Sequence, residues 1–101
     1  MTGAMGRSEA LDDAAVAAAL ADAPGWARAP DGALVVRRRL PSAAAAVGFI
    51  AAVGALAEQH GHHPELRWVY RDVDLRLVTH DAGDAVTARD VELMRAIAEL
   101  P

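Results

Sequence analysis

The chain has 101 residues, 53% of them hydrophobic, which is enough for one domain with a real core and too few for two. It contains no cysteine, so disulfides, thiolate metal sites and thiol nucleophiles are excluded. The formal net charge is −4 and all ten basic residues are arginine, which argues against a polyanion-binding surface and against nucleic acid as a direct partner.

Residues 1–7 hold two glycines and a second methionine, Met5, and read as a flexible leader; residues 8–101 read as a single domain. Ser8 is a good N-cap, and the alanine-rich stretch 11–20, with Glu9, Asp12 and Asp13 near its positive end, predicts a first helix. The uncharged run 14–21 is too short and too alanine-rich for a secretory or membrane-spanning segment, so a cytoplasmic protein with no membrane partner is expected. Pro24-Gly25 stops the helix. Residues 26–28, the Pro30-Asp31-Gly32 turn and residues 34–40 predict a hairpin, with Leu34, Val36, Arg38 and Leu40 on one face of its second strand.

Pro41-Ser42 opens a second helix through about Gln59, on which Phe49, Val53, Leu56 and His60 form an apolar stripe facing a sheet. After Pro64, residues 66–70 and 73–79 predict a second hairpin about Arg71-Asp72, closed by His80. Thr87-Ala88-Arg89-Asp90 resembles a capping box with Asp in place of Glu, and starts a third helix through Leu100. The order α-β-β-α-β-β-α favours an α+β fold, a four-stranded antiparallel sheet with three helices on one face. Aromatics make up only 4% of the chain, and so lean a core favours oligomerisation.

Of the four histidines, His60, His62 and His63 fall within four residues and His80 ends a strand. If the second helix reaches position 62, Glu58 and His62 share a face at i, i+4, and the carboxylate can orient the imidazole. Pro64 disfavours the α region for His63, which should leave the helix and face elsewhere. Imidazoles in different environments can supply a proton donor and an acceptor near neutral pH. A histidine cluster can also serve as a helix C-terminal device, or His60, His62 and His80 as a zinc or nickel site. His60 lies on the apolar stripe and reads as packing. The arginines 37–39 read as a solvated strand with one inward member, and Trp26, Trp68 and Tyr70 as core or interface aromatics.

The run Glu58-Gln59-His60-Gly61-His62-His63-Pro64-Glu65, followed by Val69-Tyr70, residues 73–77, Thr79-His80-Asp81 and Thr87-Ala88-Arg89-Asp90, resembles the signature of the pterin-4a-carbinolamine dehydratases. The resemblance covers roughly residues 26–100 and implies the same four-stranded fold, commonly in homodimers or homotetramers. It implies conversion of 4a-hydroxytetrahydropterin to quinonoid dihydropterin and water, recycling the cofactor of a pterin-dependent hydroxylase, with no metal and no bound cofactor. Carried over, the acid-base residues are His62, His63 and His80, and the substrate-binding or orienting positions are Glu58, Pro64, Thr79, Asp81 and Asp90. Many members carry tryptophan directly after Pro-Glu; here Leu66 stands there and the aromatic moves to Trp68, a shift expected to exchange strand faces. The loop 81–86 lacks the usual Gly-Leu. Similar sequences also include assembly factors and a dimerisation partner of a transcription factor, so a protein-binding module with a vestigial pocket is the alternative function.

Overall fold

The computed structural model describes residues 7–101. Its elements are α1 (Asp13–Ala21), β1 (Ala27–Arg28), β2 (Leu34–Arg39), α2 (Ala43–His60), β3 (Glu65–Val69), β4 (Asp72–Leu77), a 3-10 turn (His80–Ala82) and α3 (Ala88–Ala98). The strands form one antiparallel sheet in the order β1-β2-β4-β3. The fold is therefore the expected α+β arrangement, α-β-β-α-β-β-α.

Alternation decides which side of the sheet is covered. Leu34 and Val36 of β2 and Val73, Leu75 and Leu77 of β4 are buried in one cluster with Val16 of α1, Phe49 and Val53 of α2, and Met94 and Ile97 of α3. The opposite face is polar and internally paired. Arg37 stands across from Asp74, Arg39 across from Asp72 and Arg76 across from Glu65, each pair joined by an ion pair, with Arg37 gripping Asp74 at both carboxylate oxygens. Arg38, between two outward arginines, turns to the core side and lies 4.7 Å above the Phe49 ring, so it is the inward member of the triplet.

The first helix starts later than Ser8. Leu11 N donates to Val86 O at 2.9 Å, which holds the preceding chain against the loop before α3, and Asp12 Oδ1 accepts from Ala15 N at 2.8 Å as the N-cap. Arg7, the last residue of the expected leader, pairs with Glu92 of α3, while residues 1–6 lie outside the described residues.

α2 is capped at both ends, at its start by the Ser42 legible in the sequence and at its end by Gly61. Ser42 Oγ accepts from Ala45 N at 3.0 Å, and Gly61 takes the left-handed conformation, φ 61°. The buried stripe is Ala46, Phe49, Val53 and Ala57, with Leu56 and His60 at its margin. Ser42→Ala is expected to cost about 1 kcal/mol, lowering the melting temperature by roughly 4–8 °C in a thermal melt. This 18-residue helix is the one described helix long and apolar enough to cross a membrane, and here its apolar stripe packs on the sheet.

The shift from Leu66 to Trp68 is two residues and does not exchange faces. Leu66 stands opposite Leu75 and Trp68 opposite Val73, so both point to the helix side of the sheet, as the period of two requires. β3 is nevertheless an edge strand beyond the reach of the helices, and all five of its residues are exposed.

Candidate active site

The C-terminus of α2 separates the adjacent histidines. His62 N donates to Ala57 O at 3.0 Å across the left-handed Gly61, the six-to-one bond of a Schellman closure, which ends the helix at His60 and turns the chain inward. His62 is consequently buried, whereas His63 swings back over the last turn and is exposed. The expected Glu58–His62 pair therefore does not form: the helix stops before position 62, and Glu58 Oε2 meets His63 Nε2 instead.

His62 has a different carboxylate. Its Nε2 donates to Asp90 Oδ1 at 2.5 Å, and the other oxygen, Oδ2, accepts from Thr79 Oγ1 at 2.7 Å and from Thr87 N at 2.8 Å. Thr79 and Thr87 hydroxyls also meet, at 2.7 Å. Asp90, Thr87 and Thr79 are buried. The capping box expected at the start of α3 is thus present, and its acid does two things at once: Oδ2 satisfies the N-cap amide, and Oδ1 fixes the orientation of His62.

His80 follows β4 by a short extended stretch in which Thr79 bridges to Ala85, so it opens a 3-10 turn rather than ending the strand. The turn brings Asp84 beneath it, and His80 Nδ1 donates to Asp84 Oδ1 at 2.6 Å. Asp84 sits at φ 63°, a left-handed position that Asp tolerates better than most residues. The hydrogen bond to Asp84, together with its charge, raises the His80 pKa above the ordinary imidazole value. A raised folded pKa adds stability that is fully present below about pH 6.5 and is lost as pH rises through the folded value.

Each of the three histidines therefore has its own carboxylate: Glu58 for His63, Asp90 for His62, Asp84 for His80. His62, His63 and His80 line one cleft of about 210 Å³, together with Gly61, Val78, Thr79, Asp81 and Arg89. Among the sequence-predicted positions, Glu58, Pro64 and Asp90 stand outside the lining; Glu58 and Asp90 hydrogen-bond histidines that form it. A larger cavity, about 530 Å³, lies on the open face of the sheet among Arg37, Arg67, Asp74 and Arg76. It holds no histidine, and its ionic groups are committed to cross-strand pairs, so the smaller cleft is the site with chemistry available. Among the described residues, no three His, Asp or Glu side chains converge as metal ligands would.

Three residues of this region were not singled out by sequence reasoning. Asp84 stands at i, i+4 from His80, a spacing that can be read directly, although the 3-10 turn that makes it productive cannot. Thr87 is visible as a cap but not as the partner of Thr79, and Arg89 is visible only as part of the motif. Asp84→Ala is expected to lower the His80 pKa, observable in an NMR titration of its ring protons; an unchanged titration would remove Asp84 as the cause.

The fold is an antiparallel α+β domain that gathers three carboxylate-paired histidines, side chains able to exchange protons near neutral pH, about one small cleft. The family model described as pterin 4 alpha carbinolamine dehydratase matches residues 9–100, and the chain belongs to that family. A relative from Rhodopseudomonas palustris BisB18 is 47% identical over 81 residues, covering 79% of each chain. One from Thermomicrobium roseum is 43% identical over 90 residues, covering 89% of this chain and 95% of its own. Both bear pterin-4-alpha-carbinolamine dehydratase as a provisional name. A solved structure from Brucella melitensis, titled transcriptional coactivator/pterin dehydratase, superposes with a TM-score of 0.83 at 29% identity, covering 88% of this chain and 95% of its own.

Proposed function

We propose that the protein dehydrates 4a-hydroxytetrahydropterin to quinonoid dihydropterin and water by histidine acid-base catalysis. The observation that carries this reading is the convergence of His62, His63 and His80 on one cleft, each oriented by a separate carboxylate. A hydroxyl on C4a leaves poorly until it is protonated. In the proposed step an imidazolium delivers a proton to that oxygen, the C4a–O bond breaks, and water departs. The N5 proton passes to a neutral imidazole while the N5 electron pair forms the C4a=N5 double bond. One donor and one acceptor balance the reaction.

His80 is assigned as the donor, because Asp84 favours its protonated form and occupies Nδ1, leaving Nε2 for the substrate. His63 is assigned as the acceptor, with its second ring nitrogen available once Glu58 holds Nε2. His62, buried and held by Asp90, is a further acid-base group in the wall of the cleft, beside that donor and acceptor. The reaction that supplies the substrate is oxygenation by a pterin-dependent hydroxylase, and the cytoplasm is the proposed compartment. The test is spectroscopic: decay of 4a-hydroxytetrahydropterin should accelerate with the protein, and a rate equal to the spontaneous one would reject the reading.

Self-association belongs to the same proposal. The β3 edge leaves Leu66, Trp68, Val69 and the adjoining Tyr70 40–69% exposed, an apolar edge that monomeric domains normally cover. Light scattering of the purified protein should give a dimer or a tetramer. A monomer would leave that edge for a different protein and favour the binding-module reading.

A further inference from the structure

β3 and β4 stay paired from Val69 and Asp72, beside their turn, to Glu65 and Arg76, the last rung of the ladder. Beyond that rung the two chains part around the histidine cleft. One runs back through Pro64 to His63, and the other continues through Val78 and Thr79 to His80. On the buried side Asp90 joins them, holding His62 on one carboxylate oxygen and Thr79 on the other. The exposed side, where His63 and His80 stand, has no such link. Among the described residues no backbone hydrogen bond runs from residues 61–64 to residues 78–82. The spacing of these two histidines is therefore set at the rung from which both segments depart.

That rung is the most firmly held on its face of the sheet. Arg76 Nη1 donates to Glu65 Oε2 at 2.8 Å, and Nη2 donates to the carboxylate of Asp31, in the turn between β1 and β2. The turn is itself braced: Asp31 Oδ1 accepts from Ala33 N at 3.2 Å, and Arg28 Nε donates to Gly32 O at 3.0 Å. Arg76 is 32% exposed, whereas Arg37, Arg39 and Arg67 on the same face are 65%, 66% and 71% exposed. A planar guanidinium gripped by two acids has little freedom left. Ion pairs open to solvent contribute only about 0–1 kcal/mol to stability, so what this one supplies is position. Glu65 also lies close enough to His80 for its charge to add to the effect of Asp84 in raising the His80 pKa.

We propose that Arg76 is a positioning residue for the dehydration: by holding Glu65 it fixes the separation of His63 and His80, the proton acceptor and the proton donor. This rests on the dehydratase reading given above. Arg76 lines no part of the histidine cleft and acts only through the chain it anchors. Donor and acceptor must meet one pterin together, the first at the hydroxyl and the second at N5. That double fit is needed in the transition state more than in binding, so a loosened rung lowers kcat more than it raises KM.

The test compares Arg76→Gln, Arg76→Lys and Asp31→Asn in the full chain. Arg76→Gln should lower kcat about tenfold with KM changed less than about threefold, and Arg76→Lys, which keeps a charge for Glu65, should recover part of kcat. Asp31→Asn removes the other ion pair of Arg76 and should leave kcat within about twofold of wild type. The ring-proton NMR signals of His63 and His80 read the same geometry without turnover. They should move in Arg76→Gln and keep their wild-type positions in Asp31→Asn. Circular dichroism should show all three variants folded, and if Arg76→Gln is not, Arg76→Lys against Asp31→Asn carries the comparison. Wild-type kcat and ring signals in Arg76→Gln, or an equal loss of kcat in Asp31→Asn, would overturn the role of Arg76 and leave the dehydratase reading standing. A wild type that does not accelerate the dehydration would overturn both.

Discussion

Replacing His63 or His80 by alanine is expected to lower the rate of 4a-hydroxytetrahydropterin dehydration by about 10²-fold or more, the scale of a positioned general acid or base. Both side chains are more than half exposed, 63% for His63 and 75% for His80, and each makes one side-chain pair, so neither supports the core. Loss of activity should therefore come without loss of structure, checked by matching circular dichroism spectra and melting temperatures. The pH dependence carries further information. With His80 as donor, activity should fall as pH rises through its raised pKa, and Asp84→Ala should move that fall to lower pH. Near wild-type turnover in either histidine variant would remove that residue from the chemistry.

Asp90→Ala should behave in the opposite way, destabilising the domain as well as silencing it. Asp90 is fully buried and accepts from His62 Nε2, Thr79 Oγ1 and Thr87 N, so truncation leaves three donors in the interior without an acceptor. Removing one member of such a network costs about 3–5 kcal/mol, and in a domain of this size that corresponds to a melting temperature lower by roughly 12 °C or more. Asp90→Asn separates the two roles. Its carbonyl oxygen can still receive the Thr87 amide, but its NH2 then faces His62 and forces Nε2 to accept, reversing the imidazole tautomer. Asn should thus restore most of the stability lost in Ala while activity stays at least about tenfold below wild type. Full activity in Asp90→Asn would show that the orientation of His62 is not used.

Much of this architecture is legible in the residues. Strand alternation places Leu34, Val36, Val73, Leu75 and Leu77 on the core side, and Ser42 and Thr87 mark the starts of α2 and α3. What local pattern cannot supply is where a chain goes after a cap. Ser8 is as good an N-cap by type as Asp12, and the tertiary bond from Leu11 to Val86 decides between them. Glu58 and His62 have helical spacing, yet one left-handed glycine ends the helix before that spacing can act, and the pairing moves to His63. The histidines, Glu58 and Asp90 all stand out in the sequence, whereas which carboxylate holds which histidine does not. Asp90 reaches His62 across 28 positions, and Asp84 reaches His80 only through a 3-10 turn. Arg76 shows the same limit, because the acids that grip it stand 11 and 45 positions away and meet it only in the folded sheet.

In the proposed function the three paired histidines form a working dehydratase cleft and not a vestigial one. The most direct measurement is the decay rate of 4a-hydroxytetrahydropterin with the wild-type protein after exhaustive chelation. The predicted result is rapid, saturable decay to quinonoid dihydropterin that persists after chelation. Decay no faster than in buffer alone would contradict it.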